Sequence, residues 1–248
     1  MTMATMVPLV ALLQVTPALI EVSPPMLERD VIVEAVELSV LFTTRPAWVT
    51  GDVPDTVWML MEASVATNDE DRMKAMLREA EEHARAATVG QEDNIGRRFA
   101  LAAVLGMRAD REGGMTKVRA ASALNNELNA VLELDPEHAR ARYMKGCLHA
   151  GVRRMGRVTR WLATNLLGGS TLKEATWEEA ESNLSFAEAH APEVPDHHLQ
   201  LARLYQDTGR PELAAIEVAH VLEIKPTSPM EMAARDEATV LQAELKPR

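Results

Sequence analysis

The clearest pattern of small and large apolar positions lies in the last third of the chain. Leu201, Ala202 and Tyr205 fall at helical spacing, Gly209 follows, and Ala214, Val218 and Val221 mark a second apolar stripe before Pro226. The second half of this layout also stands one interval earlier, as Trp177, Ala180, Leu184 and Ala187 ahead of Pro192. Apolar side chains every three or four residues line one face of a helix, and the glycine and prolines between them end it. The pattern therefore predicts pairs of short amphipathic helices that repeat along the chain.

The interval from Pro192 to Pro226 is the period of a tetratricopeptide helix-turn-helix unit, about 34 residues. The fold class expected is all-α, an α-solenoid of about four tetratricopeptide-like hairpins with one interrupted repeat and a C-terminal capping helix. Further upstream, helices are expected over 55–67, with Trp58 and Met61 on the apolar side, and from Asp71 to Thr88, with Met73, Leu77, Ala80 and Ala84 in line and Asn68 as N-cap. A hairpin follows, from Ile95 to Met107 and from Val118 to Leu134, with Gly113 and Gly114 at its turn. Asp135 and Pro136 close it, the proline read as the first turn of the next helix and the aspartate as its cap.

The interval from Pro136 to Pro192 exceeds one such period by about two-thirds, and the excess falls between His149 and Trp177. Val158, Trp161, Leu162, Leu166 and Leu167, followed by Gly168 and Gly169, give that insertion a short amphipathic helix and a loop. Thr176 with Glu179 reads as a capping box, as does Ser228 with Glu231 ahead of a last helix bearing Met230, Ala234, Ala238, Leu241 and Leu245. The expected organisation is a repeat domain over 68–248 with an insertion at about 150–176. Before it come a helical segment and linker over 23–67, including a helix over 31–42 and a loop over 43–55. Residues 1–22 form an apolar leader or tail.

Composition agrees with helices. The chain is 47% hydrophobic with only nine aromatic residues, which suits close packing through alanine, leucine and methionine. One cysteine, Cys147, excludes an internal disulfide and any cysteine-based metal cluster. The apolar run from Met6 to Ile20 is too short to span a membrane. It fits either an export signal cleaved near Ala18 to Ser23, placing the protein in the periplasm or outside the cell, or an apolar tail on a cytoplasmic protein.

The net charge of −11 is unevenly spread: residues 97–160 hold 13 Lys and Arg against 6 Asp and Glu. A basic middle in an acidic chain can steer an acidic partner. It does not fit nucleic acid, because no groove-reading basic helix or aromatic stacking platform accompanies it.

The string Leu134-Asp135-Pro136-Glu137-His138, then Tyr143 and Gly146, the interrupted stretch through Arg160-Trp161 and Gly168-Gly169, and Ala175-Thr176-Trp177-Glu178-Glu179-Ala180 together resemble the regulator of microtubule dynamics family and its bacterial relatives. Asp236-Glu237-Ala238 fits that family's last helix. The resemblance covers roughly residues 70–245. It implies a helical repeat domain used for association, in eukaryotic members with tubulin or organelle membranes, with some members holding a lipid. It brings no catalytic residues.

Two groups of side chains carry the expected binding chemistry. Arg153, Arg154, Arg157 and Arg160 put four guanidinium groups into eight residues, and on one helix 153, 157 and 160 share a face. Guanidinium groups grip carboxylates and phosphates, so the cluster reads either as a site for an acidic partner or lipid head group or as ion pairs to neighbouring repeats. Arg142, Tyr143, Lys145, His149, His198 and Tyr205 sit on the first helices of their repeats, which line the concave face of such arrays. His198 also follows Asp196, which reads as a helix cap. Glu217 and His220 have the Glu-x-x-His spacing of metal-binding bundles, but a single copy leaves the ligand set short, so no metal or cofactor is expected. The absence of phosphate loops, dinucleotide fingerprints and nucleophile elbows leaves an enzyme without footing. The function expected is a non-enzymatic scaffold holding a peptide or protein partner on the concave face. The alternative is a carrier of a lipid or other hydrophobic small molecule in a groove closed by the insertion.

Overall fold

The computed structural model describes residues 53–165, 169–226 and 229–245. The expected leader, the helix over 31–42, most of the loop over 43–55, Leu166, Leu167, Gly168 and Ser228 lie outside these described residues. Among the described residues every regular element is helical. No helix of this described part is long and apolar enough to cross a membrane. The chain divides into two compact units between Glu127 and Leu128.

The first unit contains α1 (Asp55–Ala66), α2 (Glu70–Thr88), α3 (Ile95–Arg111) and the start of α4 (Gly114–Leu134). Asp69, not Asn68, caps α2, its side chain accepting from the backbone N–H of Arg72 at 3.1 Å. The aspartate has the extended backbone that an N-cap needs. Gly90 at φ +67° and Gly114 at φ +54° make the turns after α2 and before α4, in a region that costs other residues strain. Helix α1 packs on α2 and α2 on α3. Val57, Leu60, Met76, Leu77, Ala80, Ala84, Leu101 and Leu105 are almost fully buried. Arg98 near the start of α3 meets Glu127 near the end of α4 at 2.9 Å, the crossing of an antiparallel hairpin.

The second unit continues with α5 (Ala139–Arg154), α6 (Arg157–Asn165), a 3-10 turn at Ser170–Glu174, α7 (Trp177–His190), α8 (Pro195–Asp207), α9 (Pro211–Glu223) and α10 (Pro229–Leu245). Helix α5 pairs with α7, α8 with α9, and α10 packs on both α8 and α9. The insertion therefore stands between the two helices of one hairpin. Two cores hold the stack. Ala150, Ala180, Leu184, Leu201, Leu204, Tyr205 and Ala214 form one, with Tyr143, Cys147 and Trp177 against it. Leu199, Ala202, Val218, Val221, Ala234, Ala238 and Leu241 form the other.

The helix starts differ in detail from expectation. Pro136 and Pro192 lie in turns, each three residues before a helix. Asp135 accepts from the backbone of Glu137 within its turn, while His138 caps α5 through Nδ1. Helix α8 begins at Pro195, where a missing N–H leaves no bond unmade, and Asp196 lies inside its first turn with its carboxylate engaged elsewhere. Thr176 caps α7 as expected, accepting from Glu179 N–H at 3.0 Å.

Gly146 has a specific packing role. A Cβ at this position would come within 2.7 Å of Leu184 Cγ and 3.1 Å of the Ala180 carbonyl. Only a residue without a side chain lets α5 and α7 approach so closely.

Candidate interaction site

The four arginines do not share one helix. Met155 takes extended backbone at the end of α5 and Gly156 follows, so Arg153 and Arg154 close α5 while Arg157 and Arg160 open α6. The one-face expectation assumed an unbroken helix, and the break divides the cluster. Arg154 Nε reaches Asp207 on α8 at 2.6 Å. Arg160 donates to the Arg153 carbonyl at 3.3 Å, and the Arg153 Nε is buried without a partner. Arg157 is exposed, and among the described residues no carboxylate pairs with it. Among the described residues, one arginine of the four thus forms an ion pair to the next hairpin, and three do not.

Helix α6 turns its apolar side outward. Ala163 and Thr164 are buried, whereas Val158 is 73% exposed, Trp161 57% and Leu162 39%. At 100° per residue, Arg157, Trp161, Val158 and Leu162 occupy one continuous arc. An exposed tryptophan beside an exposed guanidinium presents two of the side-chain types that most often dominate binding energy where proteins meet.

The first helices of the second unit are cross-tied. The Tyr143 hydroxyl donates to the Asp196 carboxylate, and burial together with that carboxylate holds the phenol well above its ordinary range. Burial likewise pushes the neighbouring Cys147 thiol up to about 12, so it is an inert packing group. Arg154 with Asp207, Arg203 with Glu237 and Gln206 with Glu244 continue the ties from α5 to α8 and from α8 to α10. Arg142 donates to the Pro136 carbonyl and lies over the Phe186 ring at 4.6 Å, and Lys145 donates to Asn129.

Three of the candidates expected on the concave face are inside. His149 is 2% exposed, His198 4% and Tyr205 9%, so they present little or no surface to a partner. His198 meets Glu217 on the second helix of its hairpin and Tyr205 packs with Ala180, Leu184 and Ala214, an inward placement that helical spacing alone does not give. Neither ring nitrogen of His149 has a hydrogen-bond partner among the described residues, and burial lowers its pKa. Tyr205 carries the Arg210 guanidinium over its ring at 4.7 Å.

His198 is bound at both nitrogens. Nε2 lies 2.8 Å from the Pro192 carbonyl and Nδ1 lies 2.8 Å from the Glu217 carboxylate, which raises the imidazole pKa. The His220 ring stands edge-on to it at 5.0 Å, and His220 Nδ1 is 3.6 Å from the same carboxylate. The sequence pairs Glu217 with His220 by spacing and shows His198 separately. Their union is not visible there because the third residue comes from the other helix of the hairpin.

The family model described as "Regulator of microtubule dynamics protein 1-3" matches residues 50–246. No curated protein matches the chain. Among solved structures, a thermophilic tetratricopeptide-repeat protein of Thermus thermophilus is similar, at 18% identity and a TM-score of 0.44, over 86% of this chain and 100% of that one.

Proposed function

The chain belongs to the regulator of microtubule dynamics protein 1-3 family, and from that premise we propose that it is a non-enzymatic interaction scaffold whose insertion holds an acidic segment of a partner protein. Stacked helical hairpins are a fold suited to association, since each adds surface without needing a closed core. The observation that carries the reading is the outward arc of α6, with Arg157 beside Val158, Trp161 and Leu162. Such a surface is complementary to a peptide with carboxylates next to apolar side chains. The ties from Tyr143, Arg154, Arg203 and Gln206 occupy the first-helix side chains that would otherwise line a peptide groove. Binding is therefore centred on the insertion.

Selection of displayed random peptides against the full chain tests this. The expected peptides are acidic and apolar, bind more weakly as salt rises, and lose at least about tenfold in affinity to the Trp161→Ala and Arg157→Glu variants. Peptides without acidic residues, binding that both variants retain, or failure to select any peptide would each overturn the reading. Native mass spectrometry that finds a bound lipid in place of peptide binding would favour the carrier alternative. Co-sedimentation with microtubules tests the activity that the family's description names.

A further inference from the structure

We propose that His198, Glu217 and His220 form a binding site for a divalent transition-metal cation of the zinc class, a site that neither rests on nor serves the peptide reading. The three donor atoms lie within 4.8 Å of one another. Glu217 Oε2 is 2.8 Å from His198 Nδ1 and 3.6 Å from His220 Nδ1. Around a tetrahedral ion with bonds of about 2.0–2.1 Å, neighbouring ligand atoms stand roughly 3.3 Å apart, and the two separations bracket that value.

The backbone prepares the arrangement. Glu217 and His220 are three residues apart on α9 and share a face, while His198 reaches them from α8, the first helix of the same hairpin. The Pro192 carbonyl, 2.8 Å from His198 Nε2, accepts a hydrogen bond from that nitrogen and so turns Nδ1 toward the site. Metal-ligating histidines are usually held by such a bond on their other nitrogen. An ordinary buried ion pair would need only His198 and Glu217. The second imidazole, with its side chain 47% exposed, adds little to packing, yet it stands beside the same carboxylate.

The chemistry of the donors selects the ion. Two imidazoles and one carboxylate suit zinc, cobalt, nickel or copper, whereas magnesium and calcium prefer oxygen alone. The carboxylate supplies one negative charge against a dication, and the exposed His220 side leaves room for ion entry and a water ligand. A bound ion would join α8 to α9 and resist their separation.

The test uses the untagged full chain stripped of metal and titrated with cobalt(II) followed by visible absorption, with zinc followed by calorimetry. One equivalent is expected, with the intense bands of low-symmetry cobalt and no binding of magnesium at the same concentrations. His220→Gln and Glu217→Gln are each expected to weaken zinc by at least about tenfold. His220 is exposed enough for its variant to fold, which circular dichroism checks. Absence of binding, equal binding of magnesium, or zinc affinity that either variant leaves unchanged would overturn the assignment.

Discussion

The hairpins α5/α7 and α8/α9 are built on the same positions, and their differences separate what holds the fold from what extends it. Leu184 in the interrupted hairpin corresponds to Val218, one period on, and Gly146 corresponds to Ala202, one period and the insertion on. Where the second helix brings the larger leucine, the first helix has no side chain, and where it brings valine, the first helix carries a methyl group. All of these positions are buried, and each pair fills its own space. His149 likewise falls at the position of Tyr205. The tyrosine bonds Ser185 and lies under Arg210, itself held by Glu181 at 2.7 and 2.9 Å. The histidine has no hydrogen-bond partner among the described residues. Packing is repeated between the hairpins, and polar satisfaction is not.

The comparison breaks most severely if Leu184→Ala is mild. That change empties a site at 0% exposure and should lower unfolding free energy by about 2–5 kcal/mol in denaturant titration. Val218→Ala removes fewer carbon atoms and should cost less. Next in size, Gly146→Ala should cost about 1–3 kcal/mol through overpacking against Leu184. Adding Leu184→Val should recover part of that loss, because it recreates the Ala202 and Val218 arrangement. A double-mutant cycle with no coupling would deny that the two sites are equivalent.

A smaller effect of opposite sign is expected at His149. Replacing it with leucine should raise stability by about 1 kcal/mol, since a buried unpaired polar group is removed. The pH dependence sharpens the point. Burial, reinforced by Lys145 and opposed by Glu174 and Glu179, lowers the folded pKa of His149 below its ordinary 6.5. Its unfolded form therefore takes up protons first, so the wild type keeps full stability above about pH 6.5 and loses part of it as the pH falls below that value. His149→Leu should lose less over the same interval, and equal slopes for the two proteins would contradict the assignment. Smallest of all, Arg154→Ala removes a partly exposed tie to Asp207 and should cost about 0.2–1 kcal/mol.

These positions also show what the chain reveals before folding. Among the described residues the helices, their order and the insertion were legible because apolar spacing and the repeat period act along the sequence. The family was legible in the string from Leu134 to Ala180. Helix starts were less so: proline and aspartate suit a turn as well as a first turn, and the choice at Asp135 and Asp196 depends on neighbours such as Tyr143. The orientation of α6 was hidden for a related reason. Periodicity finds a stripe of Val158, Trp161 and Leu162 but does not say which side of the helix the rest of the protein covers. The joining of His198 to Glu217 and His220 required the hairpin to close.

Exchange of Val152–Thr176 for the Thr-Gly-Arg loop that joins α8 to α9 tests most directly whether the insertion is an addition to a self-sufficient repeat. The swap removes the extra length, restores the tetratricopeptide period and deletes the exposed arc of α6. The account predicts a helical protein that still unfolds cooperatively and no longer binds the selected acidic peptides. A chain without a cooperative transition, or one that binds those peptides with undiminished affinity, would contradict it.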